Sequence, residues 1–138
     1  MLNFILLVSS IFTTFSTNTH TLEVTVTNIE TVKGDVYISL YNNAKDFPKE
    51  DLQYKKVKVK VTGISVKYTF KNLPEGNYAI ATYHDKNSDD ECNLNFFGVP
   101  KEGYGFSRNF KPKFSAPKFE DVQFTLNKKR SFTIRLIN

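Results

Sequence analysis

The chain has 138 residues, of which 40% are hydrophobic and 24% charged, and its formal net charge is +5. This length and composition describe one globular domain and exclude disorder, collagen and low-complexity sequence. The single cysteine, Cys92, cannot form an intrachain disulfide. No apolar run reaches the roughly 20 residues that a membrane-spanning helix requires.

The first twenty residues differ in character from the rest of the chain. They contain no charged side chain, and an apolar run from Phe4 to Phe12 is followed by small polar residues through Thr19. This pattern predicts a secretory signal peptide over 1–20, with a core strand or a short anchor helix as the alternative. The mature protein is then one domain over 21–138, secreted or periplasmic, with no transmembrane segment.

Alternating apolar and polar residues predict about seven short strands, and no stretch has a sustained helical period. The first two strands, over 22–27 and 36–41, are predicted to form a hairpin. In the third, over 56–61, valine alternates with lysine, which is typical of an edge strand whose lysines prevent aggregation. Anionic lipid is an alternative ligand for that lysine face, whereas no motif points to nucleic acid. The remaining strands are predicted over 64–70, 78–85, 122–126 and 132–136.

Short strands with turn signals between them predict an all-β fold, an antiparallel sandwich of seven or eight strands. The exception is an irregular stretch of about thirty residues between Asp85 and Phe119, rich in glycine and proline. Loops longer than about 15 residues are uncommon unless they have a function. The functional surface is therefore expected in this long loop.

Four oxygen-bearing residues at the start of the long loop have the spacing of a calcium-binding loop. They are Asp85, Asn87, Asp89 and Asn93, at relative positions 1, 3, 5 and 9. Asp90 and Phe96 stand where an EF-hand has Gly and Glu, so a solvated turn closed by Asx hydrogen bonds is the alternative. Calcium binding is thus one hypothesis for this loop.

A second hypothesis concerns catalysis by His84. Paired with Asp85 and with Ser107, it permits a hydrolase-like nucleophilic arrangement. No G-x-S-x-G motif supports that arrangement, and neighbours on a strand point to opposite faces. The alternative is a histidine that ends a strand and hydrogen-bonds the loop. Cys92 is flanked by acidic residues, which raise a thiol pKa and make it a poor nucleophile.

Seven aromatic side chains and five basic ones lie in the second part of the long loop. One interpretation is a ligand-binding surface for a glycan, a peptide or an anion, with Tyr104, Phe106 and Arg108 beside His84 as its candidate residues. The other is a satellite core that pins the loop onto the sandwich. The aromatic residues are Phe96, Phe97, Tyr104, Phe106, Phe110, Phe114 and Phe119.

Four segments carry a resemblance to known proteins. The run 70–80, Phe-Lys-Asn-Leu-Pro-Glu-Gly-Asn-Tyr-Ala-Ile, resembles the signature of prealbumin-like sandwiches. Continued through Tyr83-His84-Asp85-Lys86-Asn87, residues 95–107 and Phe119-Glu120-Asp121, it resembles the bacterial DUF2141 family of secreted proteins. The resemblance implies a prealbumin-like (Ig-like, Greek-key) β-sandwich in the bacterial cell envelope, and no reaction.

The sequence therefore predicts an exported, monomeric, non-catalytic binding or structural module. Its interaction surface is the long loop after His84, with Ca²⁺ as a candidate ordering ion. The partner is expected to be a glycan, a peptide or an envelope protein, and not nucleic acid. A hydrolase that uses His84 and Asp85 is the alternative, and a purely structural envelope protein is a third interpretation.

Overall fold

The computed structural model describes residue 11 and residues 16–138. Residues 1–10 and 12–15 of the predicted signal peptide lie outside the described residues, and the first strand begins at Thr19. A 3-10 turn, Ser107–Asn109, follows the sixth strand, and one short helix, α1 (Phe119–Val122), precedes the seventh. The strands are β1 (Thr19–Thr27), β2 (Asp35–Tyr41), β3 (Lys55–Lys60), β4 (Val66–Pro74), β5 (Gly76–Asp85), β6 (Tyr104–Phe106), β7 (Phe124–Leu126) and β8 (Arg130–Arg135).

The eight strands form two sheets, which confirms the predicted all-β, two-sheet architecture. The three-stranded sheet has the order β4-β1-β8, and the five-stranded sheet has the order β3-β2-β5-β6, with β7 also paired to β5. The prediction that every pair is antiparallel is wrong for β1 and β8, which run parallel with Leu22 opposite Arg130. Alternation along a strand fixes which side chains face the core but not the direction of its neighbour, so the sequence pattern could not reveal this pair.

The predicted hairpin between the first two strands is also wrong. β1 pairs with β4 and β8, whereas β2 pairs with β3 and β5 in the other sheet. The chain crosses between the sheets in the segment 28–34, which ends at Gly34 with φ of +69°. All seven residues of β2 are buried, so this strand needs neighbours on both sides and cover on both faces.

Two hydrophobic clusters give β2 and β5 that cover. The larger one lies between the sheets. The smaller one lies on the outer face of the five-stranded sheet, where Phe47 and α1 pack over Tyr41 and Ala79. Both β2 and β5 are therefore covered on both faces. Side chains of the larger cluster include Leu22, Val24, Val26, Val36, Ile38, Leu40, Tyr78, Ile80, Phe124 and Ile134.

β3 is an edge strand, as its alternation of lysine and valine predicts. β3 is the outermost strand of the five-stranded sheet, and its three alternate lysines are exposed. Val57 and Val59 pack against the core from the opposite face. An edge strand that presents lysines is protected from pairing with another chain.

Three loops leave the same end of the sandwich, and we call them the apical loops: residues 28–34, 61–65 and 86–103. The strand register places them there, because Asp35 lies opposite both Lys60 and Asp85. Hydrogen bonds join the loops directly: Ile29 N donates to Ile64 O at 3.2 Å, and Val61 N donates to Gly34 O at 3.1 Å. The long loop is thus shorter than predicted, since β6 and the 3-10 turn occupy part of the irregular stretch.

Candidate functional site

The long apical loop begins with a buried carboxylate. Asp85 is the last residue of β5 and has no solvent-exposed surface. Its Oδ1 accepts a hydrogen bond from the amide of Asp89 at 3.3 Å, and its Oδ2 accepts one from the amide of Asp90 at 2.9 Å. These bonds satisfy backbone groups in a turn where Ser88 and Asp90 have positive φ. Asp85 therefore holds the base of the loop in a defined conformation.

The structure brings the four predicted calcium ligands into this one turn. Asn87 and Asn93 each donate a side-chain amide hydrogen to Asp89 Oδ2, at 3.0 and 2.9 Å. The bonds from Asn93, the Glu91 amide and Asn87 lower the pKa of Asp89. Calcium takes oxygen ligands, so both Asn amides would have to turn their oxygens inward. Among the described residues, no three His, Cys, Asp or Glu side chains are placed to hold a metal ion, and calcium binding stays a prediction.

The tip of this turn folds back onto the outer face of the five-stranded sheet. The Tyr37 hydroxyl donates to Asp90 Oδ1, and Lys58 Nζ lies 2.6 Å from the same oxygen. Tyr37 stacks on Tyr83 with ring centroids 5.0 Å apart. Lys58, then Tyr37, lowers the pKa of the Asp90 carboxyl. Because the folded pKa is depressed, this contact is present at neutral pH and is lost as pH falls through that pKa.

The residues of the hydrolase hypothesis do not converge. His84 lies opposite Val36 on the core face, is fully buried, and its Nε2 donates to the carbonyl of Lys33 at 2.7 Å. Its neighbour Asp85 points to the other face and is bound to the loop amides. Ser107 accepts from Ile80 N and donates to Val122 O. Ile80 is four residues from His84 along β5, or roughly 13 Å.

The predicted ligand surface of His84, Tyr104, Phe106 and Arg108 does not form one surface either. Tyr104 and Phe106 lie opposite Tyr83 and Ala81, on the outer face and away from His84. Both are half-buried, and Phe106 packs against the smaller hydrophobic cluster. Arg108 is exposed, with its guanidinium 3.5 Å from the carbonyl of Asp121. Only Tyr104 and Phe106 therefore lie side by side.

Apart from half-buried Tyr104, the aromatic side chains of the long segment divide into two groups of three. Phe119 belongs to the smaller cluster, and Phe106 and Phe110 pack against it. For these residues the satellite-core interpretation holds. Phe96 is 97% exposed and Phe97 85% exposed, and Phe114 is fully exposed. Phe96, Phe97 and Phe114 are therefore the rings whose surface is available to a partner.

Phe96 and Phe97 occupy the tip of a tight hairpin, which we call the FF hairpin, residues 94–100. Leu94 and Pro100 form an antiparallel bridge at its base. Asn95 O accepts a hydrogen bond from Gly98 N at 3.0 Å, which closes a turn with the two rings at its central positions. Asn at the first position and Gly at the fourth favour such a turn. This signal, Asn-x-x-Gly, was available in the sequence and would have identified the tip.

Asn95 gives the FF hairpin a second set of hydrogen bonds. Its Oδ1 accepts from the amides of Phe97 at 2.9 Å and Val99 at 3.1 Å. The backbone N–H of Asn95 donates to Val99 O at 2.8 Å. The two rings contact edge to face at 5.5 Å. The tip is thus an ordered projection in which the amides of Asn95, Phe97, Gly98 and Val99 are bonded within the turn.

Cys92, between the turn and the FF hairpin, is expected to be unreactive. Burial, followed by the charge of Glu102, raises the pKa of this half-buried thiol to about 11. A thiol pKa of about 11 instead of 9.0 lowers the fraction of thiolate, the reactive form, about 100-fold near neutral pH. Alkylation by iodoacetamide near pH 8, followed by mass spectrometry, should be about 100-fold slower in the folded chain than in urea. Equal rates would show that the thiol is accessible and ionised normally.

These features define a class of protein: a two-sheet all-β domain that projects an ordered apolar hairpin from one long loop. No helix among the described residues is long and apolar enough to cross a membrane. The chain matches DUF2141, a family described as "Uncharacterized protein conserved in bacteria", over residues 24–134. It belongs to this family, as its sequence predicted. No curated protein and no solved structure matches the chain.

Proposed function

We propose that the protein is an exported, non-catalytic binding or structural module of the bacterial cell envelope. Its interaction surface is the long apical loop, residues 86–103. The observation that carries this proposal is the near-complete exposure of Phe96 and Phe97 at the tip of an internally bonded hairpin. Burying these two rings in a complex releases more free energy than burying any other two adjacent exposed residues of the apical loops, because apolar area removed from water sets the gain.

The rest of the long loop supports the same proposal. Asp85 fixes the base of the loop, and Asp90 attaches it to Tyr37 and Lys58 on the sheet. A loop held at two points loses little conformational entropy when it binds. The FF hairpin is therefore presented by a preorganised base, as expected of a binding loop.

Two finer statements belong to the proposal. We propose that the sandwich is of the prealbumin-like, Greek-key type. The repeated passage of the chain between the sheets supports this: β1 lies in one, β2 and β3 in the other, β4 in the first and β5 again in the second. The module acts as a monomer outside the cytoplasm after removal of residues 1–20. No contact among the described residues favours the hydrolase alternative, since His84 and Asp85 lie on opposite faces.

Photo-crosslinking from the hairpin tip tests the interaction surface. Phe97 is replaced by p-benzoylphenylalanine in the full chain, which is expressed in its native cell and irradiated. We expect adducts with an envelope component from position 97, because the ring projects into solvent, and mass spectrometry identifies their nature. The N-terminus of the purified product is read in the same experiment and is expected after residue 20.

Phe114 provides the matched control, because its ring is equally exposed outside the apical loops. Adducts formed equally from 97 and 114, or from 114 alone, would contradict the assignment of the surface. An N-terminus at Met1 would contradict export by signal cleavage.

A further inference from the structure

We propose that the FF hairpin inserts into the interfacial region of a phospholipid bilayer and attaches the module to a membrane surface. This inference rests on the proposed function and names its partner. It is carried by the shape of the hairpin, by its hydrogen bonding and by the exposed apolar side chains on the neighbouring apical loops.

The FF hairpin has a continuous apolar surface at its tip. Beside the two rings, Leu94 is 53% exposed and Val99 44% exposed. Exposed apolar side chains are ordinary when single, but four within six residues form a patch that marks an interaction site. The patch is convex, because it is the outside of a tight turn. A fluid interface accommodates such a projection without needing a complementary pocket.

The hydrogen bonds of the turn suit a medium without water. Backbone polar groups left unpaired in the bilayer carry a large desolvation penalty. In the FF hairpin, the backbone amides of Asn95, Phe97, Gly98 and Val99 are bonded within the turn, and the side-chain oxygen of Asn95 accepts two of these four bonds. The tip can therefore leave water with those donors satisfied.

The charge of the whole domain and the charge of the long apical loop differ in sign. The formal net charge of the chain is +5, which favours approach to an anionic surface from a distance. The long apical loop itself has two lysines, Lys86 and Lys101, against four acidic residues, at 89, 90, 91 and 102. Insertion of the apolar tip, and not local charge, is therefore expected to provide the binding.

The other apical loops extend the apolar character of this end. Ile64 is 75% exposed on the loop 61–65, and Val32 is 55% exposed on the loop 28–34. These two loops are hydrogen-bonded to each other. Nζ of Lys86, in the long loop, lies 3.9 Å from Oε2 of Glu30, in the loop 28–34. Each of the three apical loops therefore exposes at least one large apolar side chain.

Vesicle binding tests the inference. The full chain and the variant F96S/F97S are mixed with vesicles of phosphatidylethanolamine and phosphatidylglycerol, and the bound fraction is measured by sedimentation. We expect the parent to bind and the double variant to bind roughly 100-fold more weakly, because two rings no longer leave water. Parent and variants are compared with the same N-terminus, so that any uncleaved residues 1–20 contribute equally.

The single variant Phe114→Ser is the control and should bind as the parent does. All three proteins should have the same melting temperature, since the replaced side chains are exposed. A parent that does not bind vesicles, or a double variant that binds as well as the parent, overturns the inference. If crosslinking from position 97 then captures a protein or a glycan, the proposed function stands and only its membrane partner is wrong.

Discussion

Replacing Asp85 by alanine is expected to lower the free energy of unfolding by about 3 kcal/mol. The buried carboxylate accepts the amides of Asp89 and Asp90, and its removal leaves both donors without a partner. Hydrogen bonds to a charged group contribute about 1.5–3 kcal/mol each, part of which is offset because the charge no longer has to be buried. We expect the melting temperature to fall by roughly 10 °C in a calorimetric scan.

Asp89→Ala is the matched control in the same turn. Asp89 also accepts hydrogen bonds, from Asn87, Asn93 and Glu91, but its side chain is exposed. Water replaces those bonds, so the melting temperature of Asp89→Ala should stay close to that of the parent. A parent-like melting temperature for Asp85→Ala would show that the base of the loop does not depend on this carboxylate.

The same pair of variants separates the calcium hypothesis from the structural role of Asp85. If the turn binds Ca²⁺, millimolar calcium raises the melting temperature of the parent, because a ligand that binds only the folded state stabilises it. Asp89→Ala should keep the fold and lose that rise. If the parent has the same melting temperature in calcium and in EDTA, the turn does not bind calcium and is closed by Asx hydrogen bonds alone.

Gly34→Ala is expected to lower the free energy of unfolding by about 4 kcal/mol. Gly34 has φ of +69°, where alanine costs about 1–2 kcal/mol. A Cβ there would lie 2.0 Å from the carbonyl oxygen of Asp85 and 3.1 Å from Cα of Lys86, both backbone atoms. The end of β5 must move away from β2, which disturbs the base of the long loop as well.

Gly63→Ala is the control for this effect. Apart from Gly63 and its two chain neighbours, no heavy atom of the described residues lies within 4 Å of a Cβ at Gly63, so the change should alter the free energy of unfolding by no more than about 0.5 kcal/mol. Thermal unfolding of both variants measures the difference. Similar melting temperatures for Gly34→Ala and Gly63→Ala would show that the two strands are not in close contact at this point.

Much of the fold followed from local pattern. The valines of β3 face the core and its lysines face solvent because side chains alternate along a strand. The turn signals around Gly34 and Gly76 separated the strands near their observed ends. The parallel pairing of β1 with β8 did not follow, because it joins residues more than a hundred positions apart and leaves no local signal.

The sequence predicts the long loop as the interaction surface, which stays a proposal, but it does not indicate which of the rings are exposed. The long loop was expected to carry the interaction surface, and the seven rings were identified as a group. A ring in this segment is buried only where another part of the chain covers the outer face of the five-stranded sheet. Phe106 and Phe119 meet Phe47 there, at 6.3 and 6.1 Å, whereas Phe96 and Phe97 lie on a turn that extends beyond the sheet.

The sequence by itself determined the all-β class, the edge position of the lysine strand and the family to which the chain belongs. These properties reside in periodicity and short motifs, which are local. Only the tertiary structure decided that His84 faces the core while Asp85 closes the loop, and that Phe96 and Phe97 are the exposed rings. Those outcomes depend on contacts between distant segments, because burial is set by what the rest of the chain brings to each side chain.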